Sequence, residues 1–228
     1  MLEWYRAGQD YAVLIEDLAA WARLACVAAG SEVLRWRGMD CDPALPVQRL
    51  SVADAFRRFA GLDLAATLAP DGTPDRDALA AQMGGLRVAA DDTWSDLFSR
   101  VLVARIEPEL GRGHLVALDR YPACEAALAR RCPDDPRFAE RFELYACGVE
   151  LANGFGELTD PVEQRARFEA EMDEKARLYG ERYPLDEDFL AALARMPPAS
   201  GCALGFDRLV VLATGAPEIE AVLWAPPA

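Results

Sequence analysis

Polar and apolar residues alternate at the start of the chain, Glu3 and Tyr5 against Leu2 and Trp4. This period of two predicts a short strand over residues 1–6, with Glu3 and Tyr5 on one face. From Tyr11 the period lengthens to that of a helix, with Asp10 placed to cap it and Gly30 to end it. Glu16, Asp17 and Arg23 interrupt its apolar run, so it reads as an amphipathic helix rather than a membrane span or a leader. The Pro- and Asp-rich stretch 40–46 predicts a loop. Ser51, three residues before Asp54, opens a second helix reaching about residue 60. Pro70, Gly72 and Pro74 mark a turn region. Short helices are expected over 76–83 and 93–103, a loop over 111–113 and a buried strand over 114–119.

The second half is more sharply patterned. Residues 142–160, FELYACGVELANGFGELTD, predict a hairpin turning at Cys147-Gly148. That register pairs Ala146 with Val149, Tyr145 with Glu150, and Glu143 with Ala152. Asp160-Pro161-Val162-Glu163 combines an N-cap acid, an early proline and a glutamate, and starts a helix running to Tyr179 before Gly180. Its dense Arg and Glu form a solvated face. Another helix covers 186–195 and stops at Pro197-Pro198. A strand over 203–206, a helix over 207–213 and a last strand over 222–224 complete a single α+β domain, residues 1–228. Its sheet is expected to be antiparallel and flanked by helices.

Composition removes several function classes. A formal charge of −14 over 228 residues argues against a broad nucleic-acid face, and Arg195 and Arg130-Arg131 are too scattered to make one. Six cysteines without a C-x-x-C pair, and a single histidine, His114, argue against a zinc centre. Reduced thiols in a cytoplasmic protein are the expectation. His114 reads as structural. There is no G-x-x-x-x-G-K phosphate loop and no Ser-His-Asp or Cys-His set.

What remains is a set of carboxylates. In the predicted register Glu143 and Glu150 are diagonal neighbours on one face, about 7–8 Å apart at the backbone, so two long carboxylates can converge on one cation. Oxygen ligation of that kind suits Mg²⁺; a solvent-facing strand pair with two exposed acids is the alternative. Asn153, Phe155 and Glu157 carry the opposite parity. A bulge at Gly154 or Gly156 would bring them to the same pocket; a glycine-rich strand end feeding a turn would not. Gly205 and Arg208 stand where a strand enters a helix, a place that attracts anions, and a guanidinium holds phosphate bidentately.

Three stretches together resemble the C-terminal part of the catalytic domain of class II lysyl-tRNA synthetases, and more closely the truncated paralogues that attach (R)-β-lysine to a lysine of elongation factor P. MLEWYRAGQDY is similar to the end of motif 2, FELYACGVELANGFGELTD to the metal and amino-acid segment, and GCALGFDRLVVLATG to motif 3. The resemblance implies ATP and Mg²⁺, with Glu143 and Glu150 as the metal carboxylates and Gly205 and Arg208 contacting the nucleotide. Arg208 is the catalytic residue it carries over. Glu3, Tyr5, Asn153, Phe155 and Glu157 would form the pocket for a lysine-like substrate. Ala203 stands where the synthetases have glycine, which favours the paralogue. Elongation factor P is the implied acceptor in place of tRNA, no membrane is involved, and a homodimer is compatible. The family's motif 1, its motif 2 arginine and the aromatic that stacks on adenine would lie upstream of the position matching Met1. The expectation is therefore an N-terminally incomplete domain. A non-catalytic synthetase-like binding module and a lysyl-tRNA synthetase fragment are the alternative readings.

Overall fold

The computed structural model describes residues 1–225. Strand β1 (Leu2–Ala7) leads into helix α1 (Ala12–Ala29), where the Asp10 carboxylate accepts from the Ala12 N–H at 2.8 Å and Gly30 closes the helix at φ 66°. Three short strands follow: β2 (Leu34–Trp36), β3 (Met39–Asp42) and β4 (Gln48–Ser51). Part of the loop expected over 40–46 is therefore β3. Each of these strands is three or four residues long with charged members, too short to display an alternation.

Ser51 caps α2 (Val52–Ala55), which continues as a π-turn over Phe56–Ala60. Helices α3 (Arg76–Ala80) and α4 (Trp94–Val101) come next, the second opened by a Thr93/Asp96 capping box. Strands β5 (Gly113–His114), β6 (Val116–Pro122), β7 (Phe138–Ala146) and β8 (Val149–Gly156) then lead to α5 (Pro161–Tyr179) and α6 (Glu187–Leu193). Asp160 and Gly180 bound α5 as its sequence requires. Strand β9 (Ala199–Leu204) and helix α7 (Phe206–Thr214) follow. The strand expected over 222–224 is a correction: a 3-10 turn spans Ile219–Val222, and Trp224 is fully exposed and pairs with no strand among the described residues.

The main sheet has the order β1-β9-β8-β7-β6-β4 and is antiparallel except for the β4–β6 pair. A small second sheet, β2-β3-β5, holds His114, whose Nε2 lies 2.8 Å from Gln48 Oε1 and so has a structural partner. One face of the main sheet packs Phe142, Leu144, Ala152, Cys202 and Leu204 against α1 and α7. On the other face, α2 to α4 cover the β6 side, where Leu118, Tyr121 and Tyr145 join Phe56, Trp94 and Phe98. That cover stops at β7. The same face of β8, β9 and β1 is left open. All six cysteines are free, and among the described residues no helix is long and apolar enough to cross a membrane.

Candidate active site

Cross-strand registry assembles the open face. Glu3 pairs with Ala203, Ala203 with Asn153, and Asn153 with Glu143, so these four form one row. The next row runs Tyr5, Gly201, Phe155, Arg141. Directly opposed residues point to the same side of a sheet, so both rows stand on one face.

The hairpin register corrects the sequence expectation. Ala146–Val149 and Tyr145–Glu150 pair as expected, but Glu143 faces Asn153 rather than Ala152. A bulge at Leu151-Ala152 causes the shift. Both bulge residues are buried in the α1/α7 core, which leaves Glu150 and Asn153 together on the open face. The bulge is thus set by two apolar neighbours and not by Gly154 or Gly156. Gly154 instead makes room for the Phe142 ring, which a Cβ there would meet at 2.4 Å.

At one end of the face stands an acidic cluster. The Tyr121 and Tyr145 hydroxyls donate to Glu143 Oε2 at 2.5 and 2.7 Å, and Arg141 Nη2 donates to Oε1 at 2.6 Å. Glu150 is hydrogen-bonded by Arg208, whose Nη1 donates to the Glu150 carbonyl at 2.8 Å and to Oε2 at 3.4 Å. Burial, then Glu143, push the Glu150 carboxyl up, while Arg208 and, less strongly, Arg141 draw it down. Glu107 joins them from the turn before β5. Burial and Glu143 raise its pKa too, and its nearest donor is the Tyr145 hydroxyl at 3.4 Å. Among the described residues no three His, Cys, Asp or Glu side chains are arranged to hold a metal unaided. Two carboxylates completed by water and phosphate oxygens suit Mg²⁺, and half-buried acids that repel each other suit a cation between them.

Arg208 projects from the first turn of α7, which Gly205 caps while donating to the Leu151 carbonyl at 2.8 Å. A cleft of about 400 Å³ is lined by Glu150, Asn153, Ala203, Gly205, Asp207 and Arg208 among others. Glu143, Tyr5, Phe155 and Glu157 lie on the same face outside that lining. At the far end, burial pushes the Glu157 carboxyl up to about 7, against the pull of Arg130. A Cβ on Gly201 would sit 2.3 Å from Glu157 Oε1 and 2.6 Å from the Tyr5 ring, so this glycine lets the two meet. Burial, Glu157 and Glu3 together raise the Tyr5 hydroxyl.

Three participants escaped the sequence reading: Arg141, Tyr121 and Glu107. Arg141 had a signal, since it lies two residues before Glu143 and shares its strand parity. Tyr121 and Glu107 had none, because only the fold brings them to β7.

The sequence profile of the tRNA synthetases class II (D, K and N) matches residues 14–227. The chain belongs to this class II synthetase family. It is 38% identical over 232 residues, 99% of its length, to the lysine–tRNA ligase of Moorella thermoacetica, and covers 45% of that relative. It is likewise 38% identical over 225 residues, 98% of its length, to the elongation factor P–(R)-β-lysine ligase of Klebsiella pneumoniae strain 342, covering 63% of it. The corresponding ligase of Sodalis glossinidius is 37% identical over 224 residues. The chain therefore spans about half to two-thirds of the length of these curated relatives.

Proposed function

We propose that this class II synthetase-like chain, residues 1–228 acting as one catalytic unit, activates (R)-β-lysine with ATP and transfers it to a lysine of elongation factor P. The observation that carries the reading is the shared open face. Carboxylates Glu3 and Glu157 with Tyr5 stand at one end, Glu143, Glu150 and Arg208 at the other, and Asn153 and Ala203 lie between. A diamino acid needs its cations met by carboxylates and its carboxylate turned toward a nucleotide phosphate.

In the first step a carboxylate oxygen of the amino acid attacks the α-phosphorus of ATP, and pyrophosphate leaves. Arg208 holds phosphate charge that grows in the transition state. Glu143 and Glu150 would hold Mg²⁺, which when bound screens the phosphates and orients the leaving group. Asn153, Phe155, Tyr5, Glu3 and Glu157 hold the substrate. In the second step the acceptor amine attacks the acyl carbon, AMP leaves and the amine gives up a proton. Ala203 narrows the wall between the two ends by one methyl, and this favours the β-amino isomer. A cytoplasmic location and a protein acceptor belong to the same proposal.

ATP–pyrophosphate exchange dependent on (R)-β-lysine tests it, followed by a mass shift on elongation factor P. Arg208→Ala should lower exchange by about 10²–10³-fold. Ala203→Gly should move preference toward α-lysine by roughly 1–3 kcal/mol. Amino-acid binding without exchange would make the chain a binding module. Charging of tRNA with α-lysine would instead support the second reading, a lysine–tRNA ligase, which the equal identity to that relative keeps open.

A further inference from the structure

One guanidinium joins the two halves of the open face. Arg141 lies on β7 opposite Phe155 and two residues from Glu143. Its Nη2 donates to Glu143 Oε1 at 2.6 Å, its Nε donates to Asn153 Oδ1 at 3.3 Å, and its Nη1 donates to the Glu125 carbonyl. The guanidinium also lies over the Tyr121 ring, 4.3 Å from its centroid. Every nitrogen is engaged, and the side chain is only 19% exposed. A planar fork held at all three corners has a single orientation to impose on its neighbours.

The consequence for Asn153 is chemical. Arginine can only donate, so the amide atom facing it is the acceptor Oδ1, and the NH₂ is left toward the cleft that Asn153 lines. An NH₂ group there meets an oxygen, such as a substrate carboxylate, and not an ammonium. On the other arm, Glu143 is held by Arg141 at Oε1 and by two phenols at Oε2, which fixes how much of Oε1 remains for a cation.

We propose that Arg141 is a positioning residue for the adenylation step: it sets the Glu143 carboxylate toward the metal and the Asn153 amide toward the substrate carboxylate through one guanidinium. This rests on the reading under Proposed function.

The test titrates the whole chain calorimetrically with (R)-β-lysine and with 1,4-diaminopentane, the same diamine without its carboxylate, and follows Mn²⁺ by electron paramagnetic resonance. Arg141→Gln and Arg141→Lys should each weaken (R)-β-lysine and Mn²⁺ by about tenfold or more. Affinity for 1,4-diaminopentane should stay within about twofold, a separation that loss of structure would not give. Asn153→Asp, with Arg141 intact, should lose (R)-β-lysine affinity at least as fully as Asn153→Ala. This pair carries the test if the Arg141 variants fail to fold. Unchanged binding in Arg141→Gln, equal loss of both amine ligands, or full affinity in Asn153→Asp would overturn the proposal. If the unsubstituted chain binds neither amine ligand nor Mn²⁺, the functional reading falls and this inference with it. Binding of all three by the unsubstituted chain, with no effect of Arg141, sinks the inference alone.

Discussion

Glu157 gives the site a pH signature. With its carboxyl pushed up to about 7 by burial, a large share of the molecules carry it protonated near neutrality. An ammonium pairs with the ionised form only, so binding below pH 7 must first expel a proton. The Kd for a diamino acid should rise roughly tenfold for each unit below about 7 and flatten above about 8. Glu157→Gln should abolish that slope and weaken binding by roughly 2–5 kcal/mol. Calorimetry in two buffers of different ionisation enthalpy would read the released proton, and a flat profile from pH 5.5 to 8 would exclude Glu157 from the amine site. For folding the sign is opposite to that of a salt-bridged acid. The raised carboxyl contributes to stability at low pH, and that contribution is lost as pH climbs from the ordinary carboxylate range through about 7. Gly201→Ala should cost binding more than folding, because the added Cβ meets the Glu157 carboxylate and the ring edge of the exposed Tyr5, side chains that can swing aside where backbone cannot; the same titration and a thermal melt separate the two. Strand parity in the sequence foretells that Tyr5 and Glu3 share a face. That Gly201 lies beneath both Glu157 and Tyr5 depends on two pairings, Phe155 with Gly201 across 46 residues and Tyr5 with Gly201 across 196, which local pattern does not encode.

Among the elements, those with strong local chemistry were legible. Helix α5 is bounded by Asp160 and Gly180, and the Asp160 carboxylate accepts from the Val162 and Glu163 amides at 2.8 and 3.2 Å. The hairpin turn was equally readable: Cys147 and Gly148 both take positive φ, 54° and 72°, as a two-residue turn of twisted strands demands. The bulge beyond it was not, because the choice to bury both Leu151 and Ala152 is made by α1 and α7 and not by the strand. The turn is also clamped from outside. Gly111 accepts from the Cys147 N–H at 2.8 Å, sits at φ 72°, and would place a Cβ 2.5 Å from Ala146 Cα. That neighbour is backbone and cannot swing away. Gly111→Ala should therefore destabilise the chain by about 2–4 kcal/mol, combining left-handed strain with overpacking. Urea unfolding would measure it, and a loss under about 0.5 kcal/mol, the scatter of ordinary surface substitutions, would show that the hairpin is not held there.

At the scale of the molecule, charge and function pull against each other. The chain carries a formal −14, and the fold gathers Glu107, Glu143 and Glu150 beside one another, with Arg141 and Arg208 as the cations in contact. The acidic balance was visible in composition; its concentration at one end of a sheet face was not, because Glu107 arrives on a turn far from the hairpin in sequence. Glu143 has three donors, whereas among the described residues Glu107 is hydrogen-bonded by the shared phenol of Tyr145 alone and feels both Glu143 and Glu150 against the weaker pull of Arg208, so mutual repulsion falls hardest on Glu107. Under the proposed reading the cluster receives a cation, and removing the Glu107 charge should stabilise the chain without metal, since like charges held together are strained until one is bound. Glu107→Gln is thus expected to raise the melting temperature in EDTA, by about 2–4 °C for each kcal/mol of repulsion relieved in a chain of this size. The same substitution should shrink the rise expected of the unsubstituted chain in millimolar Mg²⁺ under the proposed reading, because a ligand stabilises only in proportion to its affinity for the folded state. Glu109→Gln, nearby and solvent-exposed, should do neither. A lower melting temperature for Glu107→Gln in EDTA would mean that its hydrogen bond to Tyr145 outweighs the repulsion, and that Glu107 serves the fold and not the cation.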